Sequence, residues 1–240
     1  MIELFRSLFT PPRHMLLLVA AAWLGLTLSE KRASHYNVSA EALNNLTFYG
    51  LIAFLLGGRL FFAFGHIDAF LKSPLSIFAL NPDLFDALGG VVAAILTMLV
   101  YGQRQKLDLW NTPYALTPFL SVLMVGLGLS HLAAGTAFGQ PTDLPWAINL
   151  WNADRHPTQI YETLAALLTF GLVWTLKPNP RSGLLFLTFT ALTAGWTIFL
   201  AAFRADSTLL LGKFHAEQVV AWVVLAIALG LYEWRQQHRP

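Results

Sequence analysis

Apolar residues fall in seven long runs separated by short polar stretches, at about residues 15–29, 46–64, 84–101, 113–138, 158–176, 183–203 and 214–234. Most of these runs approach the roughly 20 apolar residues that an α-helix needs to cross a bilayer. The first is shorter and stops at Glu30-Lys31-Arg32. Residues 65–83 mix apolar positions with His66, Asp68, Lys72 and two prolines, and are too broken to span. They are expected to be an interfacial or re-entrant piece. Residues 1–14 set Arg6 and Arg13 among Phe and Leu, as an interfacial segment does. The pattern predicts an all-α polytopic membrane protein: a single transmembrane domain over 1–240, with about seven transmembrane helices and a loop region on the outer side.

One polar interruption stands out, Arg155-His156-Pro157-Thr158-Gln159-Ile160-Tyr161-Glu162, at the mouth of the fifth run. Pro157 suits the first helical position, where its missing N–H is not needed. Gln159 and Glu162 are three apart and share a helix face. A carboxylate there is expected to face the bundle interior or a wet cavity, with Arg155 as a nearby partner. The plainer alternative is a polar helix cap with an interfacial Tyr161.

Composition supports the membrane reading. The chain is 56% hydrophobic and 12% charged, against roughly 25% charged in soluble proteins. The net charge is +2 with no basic block, so no nucleic-acid partner is expected. There is no cysteine, which excludes disulfides, a thiolate nucleophile and thiolate metal ligation. No cofactor or metal is expected. The first run follows Pro11-Pro12-Arg13-His14 with no small-residue cleavage pattern after it, and is read as a retained span. Seven spans put the termini on opposite sides. One side carries Lys31, Arg32, Arg104, Lys106, Lys177, Arg181, Arg235 and Arg239; the other carries Arg6, Arg13, Lys72, Arg155, Arg204 and Lys213. The excess favours a cytoplasmic C-terminus, with the octet outside.

Several polar residues lie within or beside the runs. Arg59 follows Gly57-Gly58 inside the second. A guanidinium there costs at least about 2.5 kcal/mol at the membrane centre and calls for an anionic partner. Its planar fork suits phosphate, although it can also snorkel to the interface. Gly89-Gly90 read most simply as close helix packing. His131 lies near the end of the fourth run, among Gly and Ala. Arg204, His215 and Glu217 flank two span ends on the octet side. Together, Arg59, Arg155, His156, Glu162, Arg204 and His215 suit an anionic phospholipid headgroup: arginines for phosphate, His or Glu for proton transfer.

The motifs resemble those of the prolipoprotein diacylglyceryl transferases. The octet is similar to that family's Arg-His-Pro-Ser-Gln-Leu-Tyr-Glu. Gly139-Gln140-Pro141-Thr142-Asp143-Leu144-Pro145-Trp146 is similar to its Gly-Arg-Pro-Thr-Asp-Leu-Pro-Trp, and Leu56-Gly57-Gly58-Arg59-Leu60 to its Leu-Gly-Gly-Arg-Ile. Phe203-Arg204 with Asp206 resembles its Phe-Arg-Glu-Pro-Asp, and Gln218 falls at its Gly-Gln pair. The likeness covers nearly the whole chain. It implies a seven-span bacterial inner-membrane enzyme that moves diacylglycerol from phosphatidylglycerol to a lipobox cysteine. It implies a phospholipid and a lipoprotein precursor as partners. Arg59, Arg155 and Arg204 would then bind phosphate, and Asp143, Gln159, Tyr161, Glu162 and Gln218 would support the site.

Against the same family pattern, central polar residues are replaced. The span-three His-Gly-Gly is Leu88-Gly89-Gly90 here. The span-four Arg and two Asn fall on Gly128, His131 and Ala134, and the Glu after them on Thr136. The span-six Arg and Glu fall on Thr197 and Ala201, and the span-one Tyr near Met15. Two readings follow. In one, the chain is a divergent transferase with His131 or His156 as base. In the other, it is a non-catalytic descendant serving as a lipid-binding or structural subunit beside other membrane subunits. A transporter fits less well, since no repeat symmetry or broken-helix pair stands out.

Overall fold

The computed structural model describes residues 2–78, 84–176, 183–210 and 213–238. Its long helices are α2 (Met15–Ala33), α3 (Ala40–Gly65), α5 (Ala87–Arg104), α6 (Asn111–Ala134), α7 (Thr158–Thr175), α8 (Leu184–Ala201) and α9 (Ala216–Gln237). Short helices α1 (Ile2–Leu8) and α4 (Ile67–Lys72) precede α2 and follow α3, and a 3-10 turn covers Pro74–Phe78. Two small hairpins, β1–β2 (Ile148–Leu150, Ala153–Arg155) and β3–β4 (Leu209–Leu210, Phe214–His215), precede α7 and α9. The seven long helices match the seven predicted runs. The protein is an all-α polytopic membrane protein: α3, α5, α6, α8 and α9 are long and apolar enough to cross a membrane. Helices α2 and α7 are of similar length but more polar, α2 through Glu30-Lys31-Arg32 and α7 through Gln159 and Glu162. At 1.5 Å per residue, 18 or 19 residues reach about 28 Å, close to a hydrocarbon core.

Boundaries move where caps decide them. Helix α3 starts six residues before the predicted 46, because Ser39 accepts a bond from the Ala42 N–H at 3.0 Å and nucleates the first turn. Helix α6 ends before the predicted 138, at Gly135, whose φ of +72° makes it a left-handed C-cap. Pro157 sits just ahead of α7 rather than inside it, and its carbonyl accepts the first helical bonds, from Ile160 N–H at 2.9 Å and Tyr161 N–H at 3.1 Å. The sequence also predicts a short turn at Lys177–Arg181, which lies outside the described residues.

Packing is antiparallel and close. Ala21 faces Gly126, and Gly25 faces Phe119, along the α2–α6 seam. Pro118 lies inside α6, and the next amide, Phe119 N–H, donates to the buried Ser29 Oγ at 2.9 Å. Helices α3 and α5 pack through Gly57 against Ala93 and Gly89 against Phe61, where a methyl group on either glycine has no room. Close approach of this kind is how helices associate without a hydrophobic driving force. The hydrophobic core lies away from the octet. It is built from Tyr36, Leu43, Leu46, Tyr114, Val173 and Leu185. There Arg32 stacks 3.7 Å over the Trp174 ring and donates to its carbonyl at 2.7 Å. The octet end holds a cavity instead.

Candidate active site

Three stretches of extended backbone meet at the octet end. Residues 138–142 run between 154–156 and 203–205. Gln140 N–H donates to Phe203 O at 2.8 Å and Ala205 N–H to Phe138 O at 2.9 Å; on the other side, His156 N–H donates to Gln140 O at 3.0 Å and Thr142 N–H to Asp154 O at 2.9 Å. The β1–β2 hairpin turns at Trp151-Asn152, with φ of 55° and 58°, as a two-residue hairpin with positive φ at both positions does. Trp151 Nε1–H anchors it by donating to Gly135 O at 3.0 Å. This framework fixes the backbone of Arg204 beside the ends of α6 and α7.

The Arg204 guanidinium lies 3.0 Å from Glu217, 3.0 Å from Asp206 and 3.9 Å from Glu162. The other oxygen of Glu162 is 3.1 Å from His131 Nδ1. These groups form one chain from α6 through α7 to the α8–α9 connection and α9. All are partly exposed, so water reaches them. His131, Glu162, Arg204 and Glu217 line one end of a cavity of about 240 Å³, and Leu127, Trp196 and Phe189 are among the residues lining the rest. A charged end joined to an apolar slot suits an amphiphile.

The other predicted residues are placed elsewhere and do not line this cavity. Arg155 donates to Leu150 O at 3.0 Å and Gly139 O at 3.2 Å, and lies 5.0 Å over the Phe138 ring, which ties the loops together. His156 packs against Phe203 with ring centroids 5.2 Å apart. Gln159 is fully buried and donates to Thr136 O at 2.9 Å. Tyr161 accepts a bond from Trp146 Nε1–H at 2.8 Å. Gln218 donates to Ile198 O at 3.0 Å, joining α9 to α8. Asp143 is exposed on the loop. Arg59 donates to Ser76, Ile77 and Leu84 carbonyls at 2.8, 2.8 and 2.7 Å and braces the connection after α3.

Sequence reasoning gave too little weight to Glu217 and Asp206. Both were within view, two residues from His215 and from Arg204. It also left Arg6 and His14 as interfacial residues. Their neighbours lie on α6, more than a hundred residues away, so no local spacing marks them.

Residues 13–234 match the family model for prolipoprotein diacylglyceryl transferase. The chain belongs to that family. Among proteins named phosphatidylglycerol--prolipoprotein diacylglyceryl transferase, that of Nostoc sp. is 25% identical over 237 residues, covering 91% of this chain and 83% of its own. That of Nitrosomonas europaea is 34% identical over 154 residues, 59% of this chain and 52% of its own. That of Bordetella parapertussis is 29% identical over 152 residues, 61% of this chain and 58% of its own.

The positions at which this prolipoprotein diacylglyceryl transferase family member departs from the family pattern divide in space. Gly128, Thr197 and Ala201 line the cavity. Leu88 does not line it; it is 68% exposed on the flank of α5. The replacements that line the cavity are uncharged, and its charged lining residues are Glu162, Arg204 and Glu217, with His131 beside them.

Proposed function

We propose that this chain transfers diacylglycerol from phosphatidylglycerol to the cysteine thiol of a lipoprotein precursor, through a site rebuilt around His131, Glu162 and Arg204. The observation that carries the reading is the His131–Glu162 pair at 3.1 Å on the cavity wall. Glu162 holds Nδ1 and orients the ring. Nε2 of His131 has no hydrogen-bond partner among the described residues and takes the thiol proton. The thiolate attacks the glycerol carbon that carries the phosphate ester. A C–S bond forms and the C–O bond breaks. Glycerol phosphate leaves with the bonding pair, and the His131 proton neutralises it or passes to solvent. Arg204 stabilises the charge growing on the phosphate. Arg59, Arg155, His156, Gln159 and Gln218 act indirectly, by holding loops and helix ends in register.

The relatives' names supply both substrates, and the apolar slot under a charged end fits the lipid. The Lys and Arg distribution, eight against six across the loops, supports an outward octet end and a cytoplasmic C-terminus, in keeping with a bacterial inner-membrane protein.

The test is transfer itself. Detergent-purified protein is given phosphatidylglycerol and a lipobox peptide, and the peptide cysteine is followed by mass spectrometry. A diacylglycerol mass gain that His131→Ala abolishes is expected. A folded sample that transfers nothing overturns the reading. It would favour a non-catalytic, lipid-binding subunit, for which the neutral Gly128, Thr197 and Ala201 speak.

A further inference from the structure

The charges around Arg204 leave a deficit that the proposed chemistry must meet. Glu162, Asp206 and Glu217 surround it. Three carboxylates lie within 3.9 Å of the one arginine, so much of its positive charge is already engaged when a phosphate arrives. The family pattern would put arginines at Gly128 and Thr197, and neither is present. Anion binding at this end needs another source of positive charge or of N–H donors.

The N-terminal segment brings one. Helix α1 packs against α6. Arg13 fastens the segment after it, donating to Ser7 O at 3.2 Å and to Thr10 Oγ1 at 2.9 Å. Arg6 lies over the last turn of α6, with a terminal nitrogen 3.2 Å from where a side chain on Gly135 would begin. Gly135 in turn donates its N–H to His131 O at 2.8 Å, so Arg6 stands one turn beyond the cavity-lining histidine. Among the described residues the Arg6 side chain has neither ion pair nor hydrogen bond, and its Nε is buried without a partner. His14, which opens α2, repeats the pattern: its Nδ1 is buried and unpartnered. It lies near His131. Burial first, and His131 second, hold the His14 imidazole below the usual histidine range, so it is a neutral hydrogen-bonding group rather than a second fixed charge. A buried polar atom left without a partner is unfavourable, and a ligand that pairs it recovers that loss.

We infer that Arg6 and His14, by the last turn of α6, bind the headgroup of a phosphate-bearing lipid together. This inference rests on the transferase reading above and extends it. The pair supplies from the N-terminal segment the donors that the bundle interior lacks. An arginine guanidinium binds two phosphate oxygens with parallel N–H bonds, and a histidine adds one. The ligand class is an anionic phosphodiester, or the phosphomonoester that leaves after transfer.

Lipid retention tests it with the full chain. Wild type, Arg6→Gln/His14→Gln and Arg6→Lys are reconstituted with equal phosphatidylglycerol and phosphatidylcholine. Bound lipid is counted by native mass spectrometry, and melting is recorded for each. The double variant is expected to lose the preference for phosphatidylglycerol by about ten-fold or more, as loss of a charge-assisted bond predicts. Arg6→Lys should restore part of it. Added glycerol phosphate then separates the sources. Competition that the double variant loses assigns the pair to the phosphate, free or lipid-borne; no competition in wild type assigns it to the membrane-borne headgroup. If the double variant melts lower but keeps the wild-type preference, Arg6 is a helix C-terminal cap and the inference falls alone. If wild type has no preference, the inference falls together with the lipid substrate proposed above.

Discussion

His131 on α6 and Glu162 on α7 meet across a helix seam, Nδ1 to Oε2 at 3.1 Å, on the wall of the cavity. The pair is built from two unremarkable local facts: a histidine one turn before a glycine cap, and a glutamate one turn into the next span. The seam makes them one unit. His131→Ala is expected to lower the transfer rate by about a hundred- to ten-thousand-fold, the range for a lost general base. Glu162→Gln keeps a hydrogen-bond partner but removes the charge and should cost less. Single-turnover rates of the two variants, with the double variant no worse than His131→Ala, would show that they act together.

Arg204 ties the pair to the rest of the cavity end. Arg204→Gln should slow transfer by about a hundred- to a thousand-fold, as loss of one electrostatic donor does. Arg204→Lys should recover little, because an ammonium cannot serve Glu217 and Asp206 with separate nitrogens as the guanidinium does at 3.0 Å to each. Rate and lipid retention measured side by side check this; a Lys variant at wild-type rate would rule out the fork geometry.

Gly128 sets how closely α6 approaches α7. A methyl group there would overlap Thr163 Oγ1 and come within 3.0 Å of the Thr163 backbone nitrogen. Backbone cannot rotate away, so Gly128→Ala must push α7 outward at the residue next to Glu162. Overpacking of this sort costs about 1–3 kcal/mol, and the melting temperature should fall by several degrees. The His131–Glu162 distance should grow, and a shift near 1 Å costs up to about a hundred-fold in rate. Measuring both on one sample is decisive: a rate loss without a melting change would mean that the glycine serves the substrate rather than the seam.

Much of this was legible in the chain. The seven apolar runs give the seven long helices because burial in lipid demands apolar length, and length shows directly in sequence. The octet announced the start of α7 to within a residue, since Pro157 and Thr158 leave little freedom for where a helix starts. Helix ends set by a side-chain cap, as at Ser39, or by a left-handed glycine, as at Gly135, were displaced because those residues also occur in loops. The site divided the same way. Glu162 and Arg204 line the cavity, while Arg59 and Arg155, expected at phosphate, are engaged by carbonyls. A guanidinium pairs with an anion or with several carbonyl oxygens, and sequence does not tell which of the two is near. Only the folded backbone brings Ser76, Ile77 and Leu84 around Arg59.

That arrangement makes a last prediction. Arg59 spends its Nε, Nη1 and Nη2 on three carbonyls at 2.8, 2.7 and 2.8 Å. Beside it the Asp86 N–H donates to Gly58 O at 3.0 Å, so the start of α5 is fastened to α3 at the same level. Hydrogen bonds to a charged group contribute about 1.5–3 kcal/mol each. Arg59→Met keeps the apolar stem and removes all three. The protein should melt ten degrees or more lower, while the folded fraction transfers lipid at the wild-type rate. Arg59→Lys should fall between, because one ammonium cannot span the three acceptors as the fork does. Thermal unfolding in parallel with transfer and phosphatidylglycerol retention separates the possibilities. A variant that melts normally but no longer retains the lipid would return Arg59 to the headgroup.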